Sequence, residues 1–454
     1  MIRWTRQTRN PASNRPMKCD ICGRESEFES SFIKERRSFR SSHRTVCPTC
    51  FTRRRYTIEG WYQVAMIAVG IVGCALLRFN PESALGALGR DLIALFLLDV
   101  FLVLTIIPHE LGHAIVGRLL GWRVFAVVIG VGKQLFKFRL FGIIFSFHWL
   151  PIGGITQVLP VDTHSFRLKR FLIFLAGPAV NISIAVAIFL IWRQDWQDNG
   201  FEGLPRAARI CLWANLWVAA FNLWPHQTKT LNLPSDGKQL LKSFSTRKKD
   251  VEELQAARYA LEAMLCRDEY KNPEAALDWC NKGLALFPSN LHLLNVSGLL
   301  ALDQQDYTRA RQVFLQLLPG QSKPSLARYS ILNNIAYVDA LIGDPALLPG
   351  ADAYSKEAYN AVPWMASIVG TRGTVLVAMG QFEEGIRLLK ESFEKATSPR
   401  SKAENACHLA IAHVRIGKHD EATKYLRLAQ QLDSQCRLTQ RAESELNSGT
   451  LQSS

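Results

Sequence analysis

The chain has 454 residues, with 54 Lys or Arg against 39 Asp or Glu, a formal charge of +15 and 48% hydrophobic residues. Residues 251–454 hold 21 basic and 23 acidic side chains, so the whole excess sits in residues 1–250, together with every long apolar run. A single soluble domain is thereby excluded, and a membrane protein with basic loops on one side fits better than a basic nucleic-acid binder.

Residues 1–60 are basic, with 14 Lys or Arg and 6 Asp or Glu. They contain Cys19-Asp20-Ile21-Cys22-Gly23 and, with 24 residues between the two pairs, Cys47-Pro48-Thr49-Cys50. Two such pairs look like a zinc ribbon: each pair holds metal from a tight turn, and four thiolates close a tetrahedron with no place for water. This zinc is expected to be structural. The fragment is too short for a core of its own without metal. The six other cysteines are scattered, as a reducing compartment permits. The first apolar run begins near Trp61, too far in for a cleavable export signal.

Four spans are predicted, at about residues 61–77, 92–117, 171–192 and 207–224. The amino-terminal segment, the linker between spans two and three and the tail after span four are all basic, which puts them and both termini in the cytosol. The expected setting is a multi-pass protein of a bacterial plasma membrane. Asp99 and Glu110 lie inside the second apolar run, where charges are functional suspects.

Between spans two and three, Phe136, Phe138 and Leu140 alternate with Lys137 and Arg139, and Phe145, Phe147 and Trp149 alternate with Ser146 and His148. Period two with interspersed glycines predicts strands or a hairpin at the membrane surface over 124–160. After about residue 240 the chain becomes soluble and helical. Gly298, Gly373 and Ala410 are each followed twelve residues on by a small residue (Ala310, Gly385, Ala422) and sixteen on by a large apolar one (Phe314, Leu389, Leu426). Gly343, Gly380 and Gly417 recur at intervals of 37, where each would turn the chain between paired helices. This part resembles tetratricopeptide repeats, and the unit near Ala336 loses the match after Pro345.

The sharpest motif is His109-Glu110-Leu111-Gly112-His113. Residues four apart share a helix face, so both imidazoles can bind one Zn²⁺ while Glu110 reaches water as general base. Two histidines and a carboxylate in an apolar span would be costly to bury without metal.

With three further stretches the chain resembles the site-2 protease family of intramembrane zinc metalloproteases. Leu150-Pro151-Ile152-Gly153-Gly154 looks like the family's glycine-rich element, and Ala176-Gly177-Pro178-Ala179-Val180-Asn181 is similar to its AGP…N signature. Asn222-Leu223-Trp224-Pro225 followed by Leu233-Pro234-Ser235-Asp236-Gly237 looks like its NxxPxPxLDG element. The resemblance covers about residues 90–240. It implies Asp236 as third ligand of a catalytic zinc and Asn222 as a residue orienting the substrate or its oxyanion. In the family pattern the aspartate follows the asparagine by eight residues, and here by fourteen, so His226 is a substitute ligand.

The expected architecture is a zinc ribbon (1–60), a four-span α-helical membrane core with a short β element (61–240) and a helical repeat domain (241–454). The expected function is zinc-dependent cleavage of transmembrane protein substrates in the bilayer, with one catalytic and one structural Zn²⁺. The repeats would offer a concave surface to a protein partner, and the ribbon is expected to meet lipid or protein instead of nucleic acid. The rival expectation is an inactive membrane-anchored scaffold that works through its cytosolic modules.

Overall fold

The computed structural model describes residues 17–18, 25–26, 33–36, 43–46, 48–79, 81–200, 204–227, 233–321 and 325–452, with side chains from residue 60 onward. The four-cysteine zinc site expected at Cys19, Cys22, Cys47 and Cys50 lies outside the described side chains. Strands β1 (Met17–Lys18) and β2 (Glu25–Ser26) pair antiparallel, as do β3 (Ile33–Arg36) and β4 (His43–Val46). Two compact units, Arg53–Arg258 and Tyr259–Ser454, are described in turn.

The first unit is mostly helical. Helix α1 (Pro48–Phe79) crosses α2 (Ala84–Leu104) where Gly73 and Gly89 meet: a Cβ on Gly89 would lie 2.8 Å from the Gly73 carbonyl oxygen. Asp99 on α2 accepts a hydrogen bond from the Tyr62 hydroxyl of α1 at 3.1 Å, a plain interhelical role. The chain then breaks at Thr105 before α3 (Ile106–Leu119). Pro108 has no amide hydrogen to give the Leu104 carbonyl, and that missing rung accounts for the break.

Among the described residues, three stretches are long and apolar enough to cross a membrane: Gly60–Arg78, Ala84–Leu119 and Phe166–Ile191. The last of these is α4 (Phe166–Ile191). A short helix α5 (Arg193–Asn199) leads to α6 (Arg206–Leu223), which forms where a fourth span is expected. It does not reach the same apolarity, because Arg206, Arg209, Asn215 and Asn222 interrupt it. Helix α4 packs against α3, α6 and α7 (Asp236–Ser245).

Residues 124–160 form the expected strands, but as more than a simple hairpin. Strands β5 (Arg123–Leu140) and β6 (Ile143–Leu159) join through Phe141 and Gly142, whose φ values of 51° and 75° make a two-residue turn with both central residues left-handed. The hairpin is then folded on itself. Val127 lies opposite both Thr156 and Phe145, and Val128 opposite both Ile155 and Ser146, so the first half of β5 is flanked by β6 on two sides. Gly130 allows the fold: its φ is +84°, and a Cβ there would stand 2.6 Å from the Leu150 carbonyl oxygen.

The second unit starts within α8 (Lys248–Asp268) and continues as α9 (Pro273–Leu286). Antiparallel pairs follow: α10 (Leu291–Asp303) with α11 (Tyr307–Leu317), α12 (Leu326–Ile342) with α13 (Leu348–Ala361), α14 (Ala366–Ala378) with α15 (Phe382–Lys395), and α16 (Pro399–Arg415) with α17 (His419–Leu432). Helix α18 (Thr439–Gln452) packs on the last pair. The repeated small residues mark the helix crossings. A Cβ on Gly298 would meet the Phe314 ring at 2.6 Å, and one on Gly373 would meet Leu389 Cγ at 2.9 Å. Gly343, Gly380 and Gly417 all turn the chain with φ between 72° and 78°. The match lost after Pro345 is an offset: a longer turn delays α13, and Ala351 fills the small position opposite Ala336.

Candidate metal centre

Helix α3 brings His109 and His113 to one face, with their Nε2 atoms 3.3 Å apart. Asp236, in the first turn of α7, places Oδ2 3.0 Å from His109 Nε2 and 3.4 Å from His113 Nε2. Ser235 caps α7 by accepting a hydrogen bond from the Lys238 amide. Arg170 of α4 holds the same helix in place, donating to Gln239 Oε1 at 2.7 Å and to Thr246 Oγ1 at 3.2 Å.

The altered spacing before Asp236 is absorbed between His226 and Ser235, which bond to each other. The Ser235 amide donates to the His226 carbonyl at 3.0 Å, the His226 amide donates back to Ser235 Oγ at 3.0 Å, and Gln227 bridges to Pro234. His226 and Ser235 thus lie side by side despite the extra residues between them in sequence, and Asp236 arrives beside the imidazoles. His226 stays apart, with Nδ1 against the Trp224 carbonyl at 2.9 Å and its ring against Phe221. Among the described residues, His109, His113 and Asp236 form the one group of such side chains with metal-binding geometry.

The far side of each imidazole settles what faces this group. His113 Nδ1 lies 2.6 Å from the Ile173 carbonyl oxygen, which can only accept, so this nitrogen carries the proton. His109 Nδ1 lies 2.6 Å from Asn181 Oδ1, and Asn181 Nδ2 donates to the Thr105 carbonyl and to Asn215 Oδ1. With Nδ1 carrying the proton, each ring in its neutral form turns a lone pair on Nε2 toward the carboxylate of Asp236. With both rings neutral, three lone-pair donors converge with no proton between them, an arrangement that calls for a cation.

The spacing suits zinc. Ligand distances of about 2.0–2.2 Å in a tetrahedron give donor separations of roughly 3.3–3.6 Å, against 3.0, 3.3 and 3.4 Å here. Gly177 of α4 makes room for the group: a Cβ there would lie 2.4 Å from His113 Nε2 and 2.7 Å from His109 Nε2.

Glu110 is buried beside this group, and Thr156 of β6 donates to its Oε2 at 2.7 Å. A Cβ on Gly154 would come within 2.7 Å of Glu110 Oε1, so the glycine-rich element gives the carboxylate its space. A cavity of about 650 Å³ is lined by His109, Glu110, His113, Gly154, Asn222 and Asp236. Asn222 faces it while donating to the Val218 carbonyl of its own helix at 3.0 Å. Thr156, the Ile173 carbonyl and Asn215 are partners that the motifs did not announce. Only Asn215 left a trace in the sequence, as a polar residue in an apolar helix.

Residues 97–207 match the family model of peptidase family M50, so the chain carries a domain of that family. The match includes the two histidines, Glu110, Gly177 and Asn181, and ends before Asp236. A Helicobacter pylori J99 protein, named by inference as a zinc metalloprotease, is 40% identical over 63 residues, 14% of this chain and 18% of the relative. A Thermotoga maritima protein so named is 33% identical over 111 residues, 21% of this chain and 22% of the relative. A Chlamydia pneumoniae protein so named is 29% identical over 121 residues, 22% of this chain and 20% of the relative. The chain thus spans about a fifth of the length of the curated relatives it matches. Among solved structures, a thermophilic TPR protein of Thermus thermophilus is 20% identical with a TM-score of 0.33, covering 43% of this chain and 98% of that one. MamA of Desulfovibrio magneticus RS-1 is 20% identical with a TM-score of 0.28, covering 39% and 95%.

Proposed function

We propose that this chain is a zinc-dependent intramembrane endopeptidase of the site-2 type that cleaves transmembrane protein substrates. The observation that carries the proposal is the convergence of His109 Nε2, His113 Nε2 and Asp236 Oδ2 at 3.0–3.4 Å, with both imidazole protons committed to the far side. These three residues would hold the catalytic zinc. Three protein ligands leave a tetrahedral position for water or substrate.

Zinc in such a site supplies a Lewis acid that acidifies water and polarises a peptide carbonyl. Glu110 accepts the water's proton and returns it to the leaving amine. Thr156 orients the carboxylate through its hydrogen bond to Oε2. Asn222, on the cavity wall, orients the substrate or its developing oxyanion. A helical substrate hides its amides in its own hydrogen bonds and must be unwound before attack. The second half of β6 runs along the cavity past Glu110, and an extended segment can add to that strand through main-chain hydrogen bonds.

The membrane arrangement follows from charge. With α6 as a fourth crossing, the basic amino-terminal segment, the β5–β6 linker and the tail all face the cytosol. Cys19, Cys22, Cys47 and Cys50 would hold a second, structural zinc there, and the repeat unit would recruit a protein partner. It carries a cavity of about 620 Å³ lined by Asn333, Tyr337, Thr371, Asn405, His408 and Arg437.

The test is proteolysis in a bilayer. The purified chain, reconstituted with a single-span protein, is expected to cut it in or beside its apolar segment, and 1,10-phenanthroline to stop the cut until zinc is restored. Zinc-loaded protein that leaves a panel of single-span proteins intact would favour the scaffold.

A further inference from the structure

Behind His109 a line of buried amides runs into the bundle, and the proteolytic steps make no use of its outer end. Asn181 on α4 and Asn215 on α6 are 0% and 1% exposed. Asn215 Nδ2 donates to the Cys211 carbonyl one turn back at 2.9 Å, Asn181 Nδ2 donates to Asn215 Oδ1 at 3.0 Å, and Asn181 Oδ1 faces His109 Nδ1 at 2.6 Å.

A carboxamide is nearly symmetric in shape but not in polarity, since its nitrogen only donates and its oxygen only accepts. A main-chain carbonyl only accepts. Cys211 therefore fixes which way Asn215 points, Asn215 fixes Asn181, and Asn181 fixes the proton of His109 on Nδ1. With Asn181 reversed, its NH₂ would face Nδ1 and the imidazole proton would move to Nε2, toward His113 and Asp236. A protonated Nε2 cannot ligate metal.

We propose that Asn215 is a positioning residue for zinc, acting through the polarity of Asn181 to keep His109 Nε2 free for the metal. The inference rests on the zinc reading of the site. The two histidines differ in this respect. His113 is oriented directly by the Ile173 carbonyl, whereas His109 depends on a relay of two side chains. The other anchor of Asn181, the Thr105 carbonyl, is 3.4 Å away and correspondingly weak. In a buried apolar setting, an amide that loses its short partner has reason to reorient.

The experiment is a double-mutant cycle on the full-length protein in detergent. Zinc affinity is read by competition with a chromogenic chelator, counting only the zinc that His109→Ala/His113→Ala removes, and folding is followed separately by thermal unfolding. Asn215→Leu is expected to weaken zinc binding about 10- to 100-fold, the usual range for partners that orient a ligand. In an Asn181→Leu background the same change should add less than about twofold, because its route to the metal is already cut. Asn215→Asp should bind zinc nearly as tightly as wild type, since a carboxyl in either protonation state accepts from Asn181. If leucine prevents folding, Asn215→Ala carries the same expectation. Wild-type affinity in Asn215→Leu, multiplying effects in the double variant, or equal losses from Asp and Leu would each overturn the relay. Absence of this zinc from the wild type would instead sink the zinc reading.

Discussion

Glu110→Gln is expected to leave zinc bound and to slow cleavage of a membrane substrate by about 10²–10⁴-fold, the range that general acid–base groups contribute. The side chain is buried between the two histidines in sequence but outside the three-residue metal group. Glutamine matches its shape and keeps an oxygen for the Thr156 hydroxyl, which stands 2.7 Å from Oε2. It cannot take up the water's proton. Loss of cleavage with unchanged zinc content would assign Glu110 to the proton transfer. Unchanged cleavage would remove it from the mechanism, and the proteolytic reading with it.

Gly177→Ala is expected to act on the metal. The added methyl would stand 2.4 Å from His113 Nε2 and 2.7 Å from His109 Nε2, the two atoms proposed to ligate zinc. Neither ring can yield easily, because Nδ1 of each is held at 2.6 Å by a buried partner. Zinc affinity should fall by more than about 100-fold, beyond the usual loss on removing an orienting partner. Cleavage should vanish, although alanine has the higher helix propensity. Gly60→Ala is a control, because a Cβ there meets nothing within 4 Å. Zinc titration of the two variants checks this, and wild-type affinity in Gly177→Ala would mean that the imidazoles do not converge as described.

The parts of this site that lie close in sequence were legible before the fold was known. His109 and His113 are four apart on a helix, so their shared face follows from helical periodicity alone. The third ligand was harder to place, because the family spacing is broken by extra residues before Asp236. Spacing along the chain stops measuring distance in space once residues separated in sequence bond to each other, as His226 and Ser235 do. The orienting partners were least legible. The Ile173 carbonyl has no side-chain signature, and Thr156 reads as one more polar residue in an alternating strand. Asn215 did carry a signal, a buried amide in an apolar helix, but its partner on α4 appears only when the helices pack.

The β element shows the same division. Alternation of apolar and polar residues announced strands over 124–160, but not that β5 would be flanked by β6 on both sides. That pairing depends on the fold at Gly130, where only glycine tolerates the approach of the Leu150 carbonyl. In the repeat unit, equally spaced glycines located the turns, and a lengthened turn at Pro345 displaced Ala351 from its expected register while keeping the helix pair intact.

The central claim is that His109, His113 and Asp236 hold a zinc ion, and zinc counted per chain by mass spectrometry tests it most directly. Purified full-length protein and a His109→Ala/His113→Ala variant, prepared in parallel and confirmed folded, should differ by one zinc per chain. Equal zinc in the two preparations, with zinc supplied in excess and then removed by desalting, would contradict the account.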